Sequence, residues 1–96
     1  MLLGQMADVA KHVIFSGRVQ GVGFRFTARR IAGRYELSGF VRNLPNGTVE
    51  MFAQGGAEDV ACCLGDIGEA FAGYVKNAKI EDASPDARYD GFSIAF

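Results

Sequence analysis

A glycine-bearing segment, Gln20-Gly21-Val22-Gly23-Phe24-Arg25, has residue types suited to holding an anion. We predict that it joins a strand to a helix, where the first N–H groups of the helix have no partner within it. Glycine lets the backbone curl until successive N–H groups point into one concavity, and the positive end of the helix adds to their field. Arg25 at the helix start could hold two phosphate oxygens with its planar guanidinium. We name these six residues the glycine loop. They indicate an anion site, and phosphate is the anion that such sites bind most often.

The glycine loop also has an ordinary structural explanation. Loops between a strand and a helix often contain glycine, and no Lys-Ser or Lys-Thr follows to make a P-loop. Against this, arginine is unfavourable at the positive end of a helix, and a residue that opposes local preference often has a function. Taken alone, the loop leaves both explanations open.

Asn43 is a second candidate for chemistry because it ends a predicted strand just before the turn 44–47. Asparagine before a tight turn commonly bonds its own backbone. Taken alone, its position favours that structural role over a catalytic one.

Hydrophobic periodicity predicts the elements that position these residues. The predicted strands are residues 12–19, 37–43, 48–54, 74–81 and 91–96, and the predicted helices are residues 24–35 and 57–71. Pro45 and Asn46-Gly47 make a hairpin turn between the second and third strands. Gly65 and Gly68 each weaken a helix by ~1 kcal/mol relative to Ala, so we expect the second helix to end early.

This order of elements predicts an α+β fold. We expect a ferredoxin-like βαββαβ sandwich, in which an antiparallel sheet carries two helices on one face and a short C-terminal strand is added. Residues 1–10 are predicted to be a flexible lead-in and residues 11–96 a single domain. The fold by itself names no function.

The overall charge restricts the ligands that the chain could bind. Its net charge is −1, which argues against general binding to nucleic acid or to membrane surfaces. The halves differ: residues 1–48 have seven Lys/Arg against two acidic residues, and residues 49–96 have three against nine. A small anionic ligand suits this pattern better than a long polyanion. Neither a signal peptide nor the ~20 apolar residues of a membrane span is apparent.

The other reactive residue types predict no further site. His12 faces away from Val13 on the first strand and is expected to be an ordinary sheet residue. Cys62 and Cys63 are adjacent, a spacing that rarely closes a disulfide and matches no zinc motif, so we expect reduced thiols and a cytoplasmic location. The acidic residues have no metal-ligand spacing, and we predict neither a metal nor a cofactor.

Two longer motifs are similar to the paired signatures of the acylphosphatase family. They are Gly17-Arg-Val-Gln-Gly-Val-Gly-Phe-Arg25 and Gly39-Phe-Val-Arg-Asn-Leu-Pro-Asn-Gly-Thr-Val-Glu50. Together they span about residues 13–55. Two long motifs at this separation are far more specific than the spacing of the glycines, so the resemblance outweighs the structural explanations given above.

The resemblance implies metal-free hydrolysis of acyl phosphates, R–CO–O–PO₃, to a carboxylate and inorganic phosphate. It implies that Arg25 and the main-chain N–H groups of the loop bind phosphate, and that Asn43 holds the attacking water through its side-chain amide. The predicted phosphate-binding residues are Gln20, Gly21, Val22, Gly23, Phe24 and Arg25. We expect a monomer whose partners are a small acyl phosphate and the product phosphate, with no nucleic acid or membrane.

Two other functions remain as alternatives. Ferredoxin-like domains often bind RNA through aromatic residues on the sheet, and Gly39-Phe40-Val41 weakly resembles such a strand. The full aromatic RNA-binding octapeptide is absent, however, and the net charge is unfavourable. Acylphosphatase-like units also occur at the start of larger carbamoyl-transferring maturation proteins, but no zinc-finger sequence follows here, so we expect a free-standing enzyme.

Overall fold

The predicted strand and helix order is present in a computed structural model, which describes residues 8–96. The strands are β1 (Val9–Gly17), β2 (Ser38–Asn43), β3 (Val49–Gly55), β4 (Val75–Ala83) and β5 (Phe92–Ile94), and the helices are α1 (Phe24–Arg34) and α2 (Ala57–Ala70). The α+β fold with two helices and one sheet is confirmed.

The first strand begins earlier than the sequence predicts. Val9 and Ala10 pair with Gly55 and Gln54 of β3, so the predicted lead-in is wrong for these two residues. Ala10 is only 2% exposed, and its burial together with the pairing explains why the strand extends to this point. Asp8 is exposed and lies before the strand, and residues 1–7 of the predicted lead-in lie outside the described residues.

The strands form one sheet in the order β4-β1-β3-β2-β5. The first four are antiparallel to their neighbours, but β5 runs parallel to β2, so the sheet is mixed and the prediction of an antiparallel sheet needs this correction. β5 can run parallel to β2 because the connection after β4 leaves one edge of the sheet and reaches the opposite edge. Gln54 holds this connection through side-chain hydrogen bonds with the main chain of Asp86.

The core lies between the sheet and the two helices. Alternate residues of the strands are buried there, among them Val13 and Phe15 of β1. The strands contribute Val13, Phe15, Val41, Val49, Met51 and Ala53; α1 contributes Phe24, Ala28, Ile31 and Ala32; and α2 contributes Val60, Cys63 and Ile67. These residues form one cluster, so packing fixes the start of α1 relative to the ends of β1 and β2.

The second helix does not end early at its glycines. It continues to Ala70 because Ile67 and the following Phe71 are buried in the core, and this burial outweighs ~1 kcal/mol for each glycine. Gly65 and Gly68 are exposed. Within residues 8–96, neither helix has the length and apolar character needed to cross a membrane.

Candidate active site

Two buried residues anchor the glycine loop at its ends. Val19 and Phe24 are each 1% exposed, which holds the loop between β1 and α1. Between them, Gly21 and Gly23 have φ angles of 79° and 77°. Left-handed backbone costs other residues about 1–2 kcal/mol each, which explains why glycine stands at both positions. The loop therefore curves because of its two glycines, and the burial of Val19 and Phe24 in the core fixes its position.

The main-chain N–H groups of this loop have no acceptor among residues 8–96. From Gln20 to Phe26, none of them donates to another described residue, and the first bond of α1 runs from the Thr27 N–H to the Gly23 carbonyl at 3.1 Å. Within the described part of the chain, no side chain caps the start of α1, and no acidic residue occupies its first turn. Unpaired donors and the positive end of the helix dipole thus meet at one place, which is the arrangement that binds anions.

A side-chain tether joins the glycine loop to the β2–β3 turn. The Gln20 Nε2 donates to the carbonyl oxygens of Leu44 and Thr48, at 2.8 and 2.9 Å. The Gln20 side-chain nitrogen is therefore bonded to the turn, while its main-chain N–H has no acceptor among the residues that the structure describes. Sequence reasoning missed this tether because its partners lie 24 and 28 residues away and no local pattern indicates them.

Arg25 lies in the first turn of α1 and is half-buried. Its guanidinium carbon is 5.1 Å from the centre of the Phe96 ring, a cation–π distance. Among the described residues, no carboxylate lies within ion-pair distance of this guanidinium. The positive charge is therefore held at the helix start without a carboxylate to neutralise it.

Asn43 is the last residue of β2, and its carboxamide is not used by the turn. Its Oδ1 is buried and has no hydrogen-bond partner among the described residues. The bonding expected of an asparagine in a turn is made instead by Asn46, whose Oδ1 accepts from the main-chain N–H and the hydroxyl of Thr48 at 3.1 and 2.6 Å. An unpaired buried polar group costs about 1–3 kcal/mol, which points to a role for Asn43 outside the fold itself.

The glycine loop, Arg25 and Asn43 meet in one cavity of about 270 Å³. Its polar lining comes from Gly21, Gly23, Arg25 and Asn43, and its apolar lining from Val19, Phe24, Phe26, Ile94 and Phe96. Two other residues of the predicted set do not line it, since Gln20 is bound to the turn and Val22 packs against the core. The structure thus brings Arg25 and Asn43 together across 18 residues of sequence.

His12 lies on the opposite face of the sheet in a group of paired charges. We name His12, Arg42 and Glu50 the sheet-face cluster: the His12 Nε2 is 2.8 Å from the Glu50 Oε2, and the Arg42 Nε donates to the Glu50 Oε1 at 2.5 Å. Burial raises the pKa of Glu50, but the hydrogen bonds from His12 and Arg42 outweigh it and leave that pKa below its usual value. These mutual contacts give the cluster a structural role.

The cysteines are not in contact with this cavity. Cys63 is buried in the core, where burial raises its thiol pKa to about 12, and Cys62 is exposed on α2. Neither is disulfide-bonded. Within residues 8–96, no group of three or more His, Cys, Asp or Glu could hold a metal ion.

The fold and the cavity together describe a small α+β protein with a partly polar cavity at the start of its first helix. The chain belongs to the acylphosphatase family, whose sequence model matches residues 11–94. It is 43% identical over 79 residues to an acylphosphatase from Geobacillus thermodenitrificans, covering 82% of this chain and 83% of that protein.

Other comparisons agree with this membership. A solved structure of an acylphosphatase from Coxiella burnetii superposes with a TM-score of 0.83 at 30% identity, covering 99% of this chain and 100% of that one. An acylphosphatase from Methylococcus capsulatus is 53% identical over 53 residues, which are 55% of this chain. In that comparison, the chain spans 58% of the relative's length.

Proposed function

We propose that this protein hydrolyses acyl phosphates to a carboxylate and inorganic phosphate. The observation that carries this proposal is the single cavity that the glycine loop shares with Arg25 and Asn43. Membership of the acylphosphatase family supports it, because the relatives named above carry that activity in their names.

The phosphoryl group of the substrate binds at the glycine loop. Its oxygens accept hydrogen bonds from main-chain N–H groups of the loop, which have no acceptor among the described residues. The Arg25 guanidinium holds two of these oxygens, and its charge is available because no described carboxylate neutralises it. The tether from Gln20 keeps this loop in register with the turn that follows Asn43.

Asn43 holds the attacking water through its side-chain amide. The water oxygen forms a bond to phosphorus while the bond from phosphorus to the acyl oxygen breaks in line with it, and the carboxylate leaves with that electron pair. One water proton passes to an oxygen of the phosphoryl group, so the products are R–COO⁻ and inorganic phosphate. Among the described residues, no histidine or carboxylate lines the cavity to act as a general base.

This chemistry places few demands on the protein. A carboxylate is a good leaving group near neutral pH, so the reaction needs no strong general acid. Phosphoryl transfer depends mainly on positioning and on stabilising charge at the equatorial oxygens, which fixed N–H dipoles and one guanidinium can supply. We therefore propose that the reaction proceeds without a metal ion.

Hydrolysis of benzoyl phosphate by the purified protein, with and without a chelator, tests this proposal. The expected result is turnover that is unchanged by the chelator and is competitively inhibited by inorganic phosphate. Absence of turnover would contradict the proposed activity. Turnover that the chelator abolishes and Mg²⁺ restores would contradict the metal-free mechanism while leaving the activity in place.

A further inference from the structure

The cavity is larger than its phosphate-binding part. Its volume of about 270 Å³ is several times the ~30 Å³ that a water molecule occupies in the liquid, so a tetrahedral phosphoryl group fills only part of it. The glycine loop, Arg25 and Asn43 account for its polar lining. The remaining space has apolar walls, and the side chains of Phe26, Ile94 and Phe96 form what we name the apolar wall.

Two residues of the apolar wall are unusually accessible. Phe26 is 70% exposed and Phe96 is 100% exposed, whereas the neighbouring Phe24 is 1% exposed. A single exposed aromatic residue needs no explanation, but two that line one cavity form a patch of the kind that binds ligands. Because Phe26 directly follows Arg25, the helix that fixes the guanidinium also fixes this ring beside the phosphate position.

The phosphate position determines what the apolar wall can contact. A substrate bound through its phosphoryl group must place its acyl group in the same cavity, next to the Arg25 guanidinium. The centre of the Phe96 ring stands 5.1 Å from that guanidinium carbon, and Phe96 and Phe26 both line the cavity that Arg25 lines. The acyl group cannot occupy the water position at Asn43, because attack and departure are in line on opposite sides of phosphorus.

We propose that the apolar wall is the acyl subsite and selects acyl phosphates with an apolar, above all aromatic, acyl group. This inference rests on the proposed function. Aromatic rings pack favourably against Phe26 and Phe96 in offset or edge-to-face contacts. An acyl group with a second carboxylate is disfavoured, because Arg25 is the only charged residue among those described that line the cavity, and it is engaged with the phosphoryl group.

The inference is tested by comparing kcat/KM for benzoyl, acetyl and succinyl phosphate. The wild-type protein should prefer benzoyl to acetyl phosphate by about tenfold or more, with succinyl phosphate the poorest substrate. Phe26→Ala and Phe96→Ala should each reduce the benzoyl-to-acetyl ratio several-fold, and the double variant should bring it close to one. Ile80→Ala is the matched control, since Ile80 is 51% exposed on β4 and lies outside this cavity; it should leave the ratio unchanged.

A benzoyl-to-acetyl ratio of kcat/KM close to 1 in the wild-type protein would overturn the subsite. A high ratio that persists in the double variant would overturn it as well. Either result leaves the proposed hydrolysis intact. Calorimetric binding of benzoylphosphonate and acetylphosphonate measures the same preference without turnover. Tighter binding of benzoylphosphonate that is lost in the double variant supports the subsite even if hydrolysis fails, and equal binding of the two phosphonates overturns it.

Discussion

Arg25 and Arg42 make a direct comparison between the glycine loop and the sheet-face cluster. Each guanidinium stands over an aromatic ring, Arg25 at 5.1 Å from the centre of Phe96 and Arg42 at 5.7 Å from that of Phe40. Arg42 is also bonded to Glu50 at 2.5 Å, whereas Arg25 has no carboxylate partner among the described residues. The charge of Arg42 is therefore neutralised by Glu50, whereas no described carboxylate neutralises the charge of Arg25.

This difference separates charges that serve the fold from charges that serve a ligand. In the sheet-face cluster, Glu50 is satisfied by both His12 and Arg42, so adding an anion there would compete with a carboxylate. In the glycine loop, the Arg25 guanidinium has no carboxylate partner and the main-chain N–H groups have no acceptor among the described residues, and the nearby Asn43 oxygen has no donor among them. The N–H groups and the guanidinium are donors that a bound anion would satisfy, whereas the Asn43 oxygen is an acceptor that needs a donor such as water.

The largest expected effect comes from removing Arg25. Arg25→Ala should lower kcat/KM for benzoyl phosphate by about 10³-fold or more, because the variant loses phosphate binding and stabilisation of the transition-state charge together. Arg25→Lys should recover only part of this, since an ammonium cannot hold two oxygens at once. Steady-state kinetics measures both effects.

Arg42→Ala is the matched control for this comparison. It should leave kcat/KM within about twofold of wild type, because Arg42 acts on Glu50 and not on the cavity. Equal losses in the Arg25 and Arg42 variants would show that the difference in pairing has no functional meaning.

Asn43→Ala is expected to lower kcat by about 10²–10³-fold, the scale seen when one positioning donor is removed. Its inhibition constant for inorganic phosphate should stay within about threefold of wild type, since the glycine loop is unchanged. Asn46→Ala is the control: it removes the turn bonds to Thr48 and should lower the free energy of unfolding by about 1 kcal/mol with little change in kcat. Full turnover in Asn43→Ala would refute the water-holding role.

A smaller effect is expected from the backbone of the loop. Gly21→Ala meets no atom within 4 Å but must adopt a φ of 79°, so strain of about 1–2 kcal/mol should weaken phosphate binding by about tenfold as the loop relaxes. Gly65→Ala is the matched control inside α2, where it also meets no atom and should stabilise the fold by ~1 kcal/mol. Calorimetric phosphate binding and urea unfolding of the two variants separate strain in the loop from a general effect of added methyl groups.

The smallest effect concerns the pH dependence of stability at Glu50. Its pKa is lowered in the folded protein, so its contribution to stability is present above the usual value of 4.5 and is lost as pH falls through the lower folded value. The free energy of unfolding of wild type should therefore fall more steeply below pH 4.5 than that of Glu50→Gln, as measured by urea unfolding. Parallel pH profiles of the two proteins would contradict the pairing in the sheet-face cluster.

Local patterns in the sequence predicted the parts of the molecule that depend on neighbours along the chain. The glycine loop, the hairpin turn before β3 and the alternation of β1 follow from residue types within a few positions, and resemblance to the family assigned Arg25 and Asn43. The early end of α2 was wrong because local propensity takes no account of the burial of Ile67.

Contacts between distant residues could not be predicted in the same way. The Gln20 tether, the position of Phe96 beside Arg25 and the parallel pairing of β5 each join segments that become neighbours only when the sheet is complete. The apolar wall belongs to this group, since Phe26 and Phe96 lie 70 residues apart in the sequence.

The most direct test of the account is a titration of the wild-type protein with inorganic phosphate, followed through the backbone amide resonances. Saturable shifts are expected at residues 20–26, with the resonances of His12, Arg42 and Glu50 nearly unchanged. These shifts should be lost in Arg25→Ala. Shifts centred on the sheet-face cluster, or none at residues 20–26, would contradict the account.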